Sequence, residues 1–241
     1  MEKFSGCLPE PIRETFAESV LELFVELTDF YEVRDLFYLT GGTALSGFHL
    51  GHRVSYDIDM FTWKDLLQLE MGEIALMLRS HFGRRLTERV EAKSSFWSFY
   101  VDNVKIDMLV DLEVEKDKLC FWNGRMIASP ELLLEQKLGA FFSRTLFQVL
   151  VDIFFIVDTF DLDMETLMNF YWKASRREAA LEDIPMSIAI LSYFHKNFGK
   201  EVETGEVTML KPIDLDKFKL FLQDFKKVLG QELSKQIKKE A

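Results

Sequence analysis

Asp57 and Asp59 stand two residues apart in a stretch, Asp57 to Phe61, where polar and apolar side chains alternate. On a strand alternate side chains share a face, so both carboxylates point the same way. Carboxylates that close repel one another unless a cation sits between them. They suit Mg²⁺ or Mn²⁺, held by one or two carboxylates together with phosphate oxygens and water. Upstream, Gly41-Gly42 ends the apolar run Leu36 to Leu39 and opens a short helical stretch from Thr43 to His49. Glycines there let the backbone approach a ligand closely, and the free N–H groups of a helix start favour phosphate. Thr43 adds a hydroxyl, and Arg53 and Ser55, just before the acids, are donors for phosphate oxygens. Each feature alone has an ordinary structural use as turn, cap or solvated side chain. Together, a strand, a GG[ST] turn, a short helix and an Arg-x-Ser-x-Asp-x-Asp strand order a phosphate cradle and a metal clamp on one sheet.

The stretch GGTALSGFHLGHRVSYDIDMF resembles the nucleotidyltransferase motif of the AbiEii/AbiGii toxin family, within the polymerase-beta-like nucleotidyltransferase superfamily. The resemblance implies an α+β architecture: a mixed-sheet nucleotidyltransferase domain followed by a helical bundle. It implies an enzyme that moves a nucleoside monophosphate from an NTP to an acceptor, for some members a tRNA 3′ end. It also implies the toxin half of a toxin–antitoxin or abortive-infection pair, with an antitoxin protein as partner. The superfamily uses a third carboxylate on a neighbouring strand. Asp107 and Asp111 share the right face of Val104–Val110 and its continuation, and Asp107 is favoured because it sits mid-strand. It would act as base toward the acceptor hydroxyl or complete the metal site. A second motif resembling K-x-x-A-x-x-x-R-x-x-x-K-D-x-x-D is met by Lys137, Ala140, Arg144 and Asp152, while Gln148-Val149 replaces its Lys-Asp pair. Lys137 and Arg144 would neutralise the triphosphate, and Asp152 would orient Lys137 or serve the base. The change at Val149 keeps two alternatives open: a weak or inert NTP-binding module, and an interaction protein acting through its partner.

The elements needed to position these residues can be read from periodicity. Ile12 to Tyr31 carries apolar residues at three- and four-residue steps, the spacing of an amphipathic helix. Leu66–Phe82 has the same spacing. Strand-like runs follow at Arg85–Val90, Phe96–Val101 and Val104–Val110, the last two joined by Asp102-Asn103 as a two-residue turn. Ser129-Pro130-Glu131 supplies a cap, a first-turn proline and an early acid. Helical spacing then dominates Glu131–Ser143, Leu146–Phe160, Met164–Arg177, Pro185–Phe198 and Leu215–Lys239, with a polar loop from Lys200 to Pro212. The expected organisation is a nucleotidyltransferase α/β domain over 1–128 and a helical domain over 129–241.

Composition sets the outer bounds. A chain of 241 residues, 48% hydrophobic and 29% charged, is globular rather than disordered or fibrous. Its net charge of −11 gives no general attraction to nucleic acid or anionic lipid, so any RNA must meet a local basic patch. Residues 1–128 hold 14 basic and 22 acidic side chains, net −8, against 15 and 18, net −3, in the rest. Cys7 and Cys120 follow no zinc spacing, and reduced thiols in a cytoplasmic protein are expected. The apolar run Leu138–Phe160 is broken by Arg144, Gln148, Asp152 and Asp158, too polar for a membrane span.

Overall fold

A computed structural model describes residues 10–17, 19–66, 68–93, 95–112, 114–143, 147–177, 184–203 and 207–240. The chain divides into two compact units, Phe4–Leu133 and Leu134–Ala241. Cys120 is disulfide-bonded, which corrects the expectation of reduced thiols; Cys7 lies outside the described residues. A disulfide is set by closeness in space, which spacing along the chain does not reveal.

In the first unit the expected long helix from Ile12 is broken. A single 3₁₀ turn, Arg13–Thr15, is followed by extended backbone at Phe16, and α1 starts only at Val20, running to Thr28. The break has a tertiary cause. Ser55 donates its N–H to the Thr15 carbonyl (2.7 Å) and accepts from Ala17 N–H (3.0 Å), so a parallel bridge outbids the helix here. A short α2 (Tyr31–Arg34) leads into β1 (Tyr38–Thr40). Then come α3 (Gly41–Leu45) and one π-helical turn, Ser46–Leu50, ended by Gly51 at φ 62°. β2 (Asp57–Thr62), α4 (Gln68–Phe82), β3 (Leu86–Val90), β4 (Phe96–Val101) and β5 (Val104–Val110) fall close to where periodicity put them. The Asp102-Asn103 turn has φ of 48° and 69°, the left-handed pair of a type I′ hairpin. A second hairpin joins β6 (Leu119–Trp122) and β7 (Arg125–Ala128) through Asn123-Gly124 at φ 47° and 75°.

The seven strands form one mixed sheet in the order β3-β4-β5-β2-β1-β7-β6. One face carries Leu39, Ile58, Met60, Trp97, Phe99, Ile106 and Met108, all fully buried. Against it, α1 stacks Phe24 on Trp122, and α4 sets Arg79 over Trp97. On the other face β2 and β5 show half-buried residues at every second position, among them Asp57, Asp59 and Asp107. One face is therefore core, and the other is open to chemistry.

The second unit is helical among the described residues. α5 (Pro130–Ser143) opens with the Leu132 N–H donating to the Ser129 hydroxyl at 3.2 Å, the expected cap. The division between units falls inside this helix. α6 (Phe147–Thr159), α7 (Met164–Arg177), α8 (Ile184–Glu203) and α9 (Leu215–Glu240) follow. α8 runs on to Glu203, so the start of the expected Lys200–Pro212 loop is helix instead. Their core is phenylalanine-rich: Phe147, Phe194, Phe198, Phe218 and Phe225 are buried against one another and their neighbours. Among the described residues no helix is long and apolar enough to cross a membrane.

Candidate active site

The turn from β1 into α3 shows why two glycines stand there. Gly41 has φ 69°, a conformation that side chains other than glycine's resist. A Cβ on Gly41 would lie 1.9 Å from Asp59 Oδ2, and one on Gly42 would lie 2.2 Å from Arg53 Nη2. The pair therefore makes room for one carboxylate and one guanidinium, side by side on the turn. That contact is not encoded by spacing, although the glycines and their partners were all singled out from the sequence.

The three carboxylates share the open face. β2 runs parallel to β5 with Asp59 opposite Asp107 and Asp57 opposite Lys105. Asp111 lies past the end of β5, where its N–H donates to the Thr62 carbonyl at 2.7 Å. Register thus selects Asp107 over Asp111 as the neighbour of the pair. Asp107 has partners of its own: an ion pair with Lys105 Nζ and a hydrogen bond donated by Ser98 Oγ. Lys105 was not expected from the sequence. Its place on the open strand face was legible, but its pairing with Asp107 depends on side-chain reach.

Ser55 and Thr43 lock the base of the site. The Thr43 hydroxyl, fully buried, donates to the Ser55 hydroxyl at 2.8 Å or to the main-chain oxygen of Asp57, one proton serving one acceptor at a time. Ser55 Oγ lies 3.5 Å from Asp57 Oδ1, at the limit of a useful hydrogen bond. Arg53 is only 1% exposed and donates from Nη1 to the Val54 carbonyl at 3.0 Å. Thr43 thereby fastens α3 to the start of β2, with buried Arg53 packed against Gly42. His49 adds a third fastening: its Nε2–H donates to the Ala128 carbonyl at 2.8 Å, while Nδ1 has no hydrogen-bond partner among the described residues. Burial pushes its pKa down to about 4, so the imidazole is neutral near pH 7.

Among the described residues no group of three His, Cys, Asp or Glu is gathered as a metal site. The chemistry of the donors still fits a divalent cation. Asp57 and Asp59 present two hard carboxylate ligands on one face, and Mg²⁺ requires no more from a protein that also binds phosphate. Asp107, engaged by Lys105 and Ser98, stands beside that pair on the neighbouring strand.

In the helical unit Lys137 Nζ meets Asp152 Oδ2 at 2.7 Å, with Asp152 fully buried. The lysine and the acid expected to orient it are brought together. Nearby on α5, buried Glu135 pairs with Lys173 Nζ of α7 at 2.9 Å. Val149 is 5% exposed, so an acid at that position would be buried. Arg144 lies outside the described residues.

No family model and no curated protein matches the chain. Solved structures do share its fold. The Helicobacter pylori protein JHP933 superposes with a TM-score of 0.52 at 18% identity, covering 93% of this chain and 97% of that one. A Helicobacter pylori protein described as a candidate nucleotidyltransferase gives 0.51 at 17%, covering 91% and 98%. At such identities the likeness speaks for the fold. The chain is an α+β protein whose seven-stranded mixed sheet, followed by a helical part, has the nucleotidyltransferase architecture.

Proposed function

We propose that the sheet unit binds a nucleoside triphosphate and transfers its nucleoside monophosphate to an acceptor hydroxyl. The observation that carries this reading is the register: Asp59 faces Asp107 across two parallel strands, with Asp57 two residues away on the same face. Asp57 and Asp59 would hold Mg²⁺ or Mn²⁺. Such an ion, when bound, would neutralise phosphate charge and stabilise the transition state. The chain's own groups supply the rest. The Gly41-Gly42 backbone offers N–H donors beside Asp59, and buried Arg53 and Thr43 hold that backbone in place. Asp107, set beside Lys105, would take the acceptor proton. The acceptor oxygen then bonds to the α-phosphorus as the bond to the β-phosphate oxygen breaks and pyrophosphate leaves. Within the helical unit, Asp152 holds Lys137.

The finer reading, a toxin of a toxin–antitoxin or abortive-infection pair acting on RNA such as a tRNA 3′ end, is supported by the motif from Gly41 to Phe61. A second reading is favoured by two specific observations: buried Val149, where the resembling motif has an acid, and Asp107 tied to Lys105. It is an NTP-binding module without turnover. Incubation with each α-labelled NTP, total RNA and cell protein separates the two. Label in a polymer supports transfer, whereas NTP binding with no labelled product supports the module.

A further inference from the structure

Beyond β1, whose Tyr38 and Thr40 are buried on the carboxylate face, the sheet carries an opening. A cavity of about 290 Å³ is lined by Arg34, Trp63, Lys116, Leu119, Phe121 and Met126. The register puts it on the same face as the carboxylates. Tyr38 pairs with Phe61, two residues on from Asp59, and also with Met126; Met126 pairs with Phe121, and Leu119 with Ala128. Leu119 thus sits near the level of Asp59 and three strand spacings away, about 14 Å at the usual separation.

The lining has a definite chemistry. Phe121 is 66% exposed, a large ring left in water on an edge strand. Trp63 is seated on buried Tyr38, centroids 6.3 Å apart and planes within 17°. The exposed Lys116 holds its Nζ 4.9 Å over the Trp63 ring. Arg34 lies at the same opening, with Nε on Asp35 Oδ1 at 3.2 Å. Two cations against one carboxylate invert the sign of a chain whose net charge is −11. An aromatic surface flanked by positive charge fits a nucleobase and its phosphate. An apolar peptide would have no use for the cations. The volume is at the small end of ligand sites, roughly 300 Å³ and upward, as befits one nucleotide rather than a folded partner.

We propose that this cavity seats a nucleotide of single-stranded RNA, upstream of the 3′ end presented to Asp57 and Asp59, with its base on Phe121 and its phosphate at Lys116 and Arg34. The inference rests on the nucleotidyl-transfer reading for the role of the RNA as acceptor. Its test does not need transfer. The full chain is titrated into a short fluorescein-labelled RNA of mixed sequence, without NTP, and anisotropy is read. Phe121→Ala weakens binding about tenfold, within the range found when a stacking aromatic is removed. Phe121→Trp keeps it. Lys116→Gln lowers the slope of log affinity against log salt by about one. Both side chains are exposed, so melting curves should match wild type.

Wild-type binding that ignores both Phe121→Ala and Lys116→Gln overturns the proposal, as does a wild type that binds no RNA. Capture of an apolar peptide in place of RNA overturns it as well. If label transfer proceeds while Phe121→Ala changes nothing, only the cavity fails. RNA binding that needs Phe121 in a protein that transfers no label upholds the cavity and defeats the transfer reading.

Discussion

At the scale of single residues, the site is built on contacts that leave little freedom. Gly41 is fixed twice, by its positive φ and by the Asp59 carboxylate where a Cβ would go. Gly41→Ala should cost about 2 kcal/mol or more, the sum of backbone strain and a displaced carboxylate. Urea unfolding of the variant checks it, and label transfer should fall in parallel. Gly42→Ala meets instead the buried Arg53 guanidinium, but without a positive φ it adds no backbone strain and should cost less. His49 offers a pH test. Its folded pKa near 4 lies below the ordinary 6.5, so the unfolded chain binds the proton more readily. Stability is then full above pH 6.5 and falls as pH drops toward 4. About 2 kcal/mol should be lost between pH 7 and pH 5. Denaturant melts at the two values check this, and the loss from this group should vanish in His49→Gln, whose amide donates to Ala128 without titrating.

At the scale of elements, what the sequence revealed followed from local periodicity. Asp57 to Phe61 alternates, and it forms β2 with both aspartates on the open face. Val104–Val110 alternates too, and the pairing sets Asp107 opposite Asp59, a register that local periodicity does not give. The failures were of another kind. The helix expected from Ile12 obeys its spacing, yet Thr15 and Ala17 hydrogen-bond to Ser55, forty and thirty-eight residues on. No local rule contains that bridge. The β6–β7 hairpin was missed although Asn123-Gly124 is a strong turn signal, because its strands are only four residues each. Arg53 and Thr43 were legible as polar residues near the acids, but their burial depends on α3 docking against β2. The hairpin carries its own prediction. Gly124 has φ 75° and open space where a Cβ would go, so Gly124→Ala should cost roughly 1–2 kcal/mol through backbone strain alone. A thermal melt reads the cost.

At the scale of the whole molecule, the two units hold their charges differently. The sheet unit leaves Asp57 and Asp59 half-buried on an open face, as a ligand site requires. The helical unit closes Asp152 and Glu135 inside ion pairs with Lys137 and Lys173. Lys137 is a charged partner of the fully buried Asp152, so Lys137→Met should destabilise the protein by about 3 kcal/mol. Replacing both Lys137 and Asp152 by apolar residues should recover much of that loss, as measured by urea unfolding. The central claim concerns the sheet unit, and label transfer tests it most directly. Wild type and Asp59→Asn are each incubated with α-labelled NTPs, a divalent cation, total RNA and cell protein, beside a melting curve. The account predicts label in a polymer for wild type and a loss of about a hundredfold or more for Asp59→Asn, roughly 3 kcal/mol of barrier, with no fall in melting temperature. Wild type that labels nothing with any NTP, or an Asp59→Asn protein that labels as well as wild type, would contradict it.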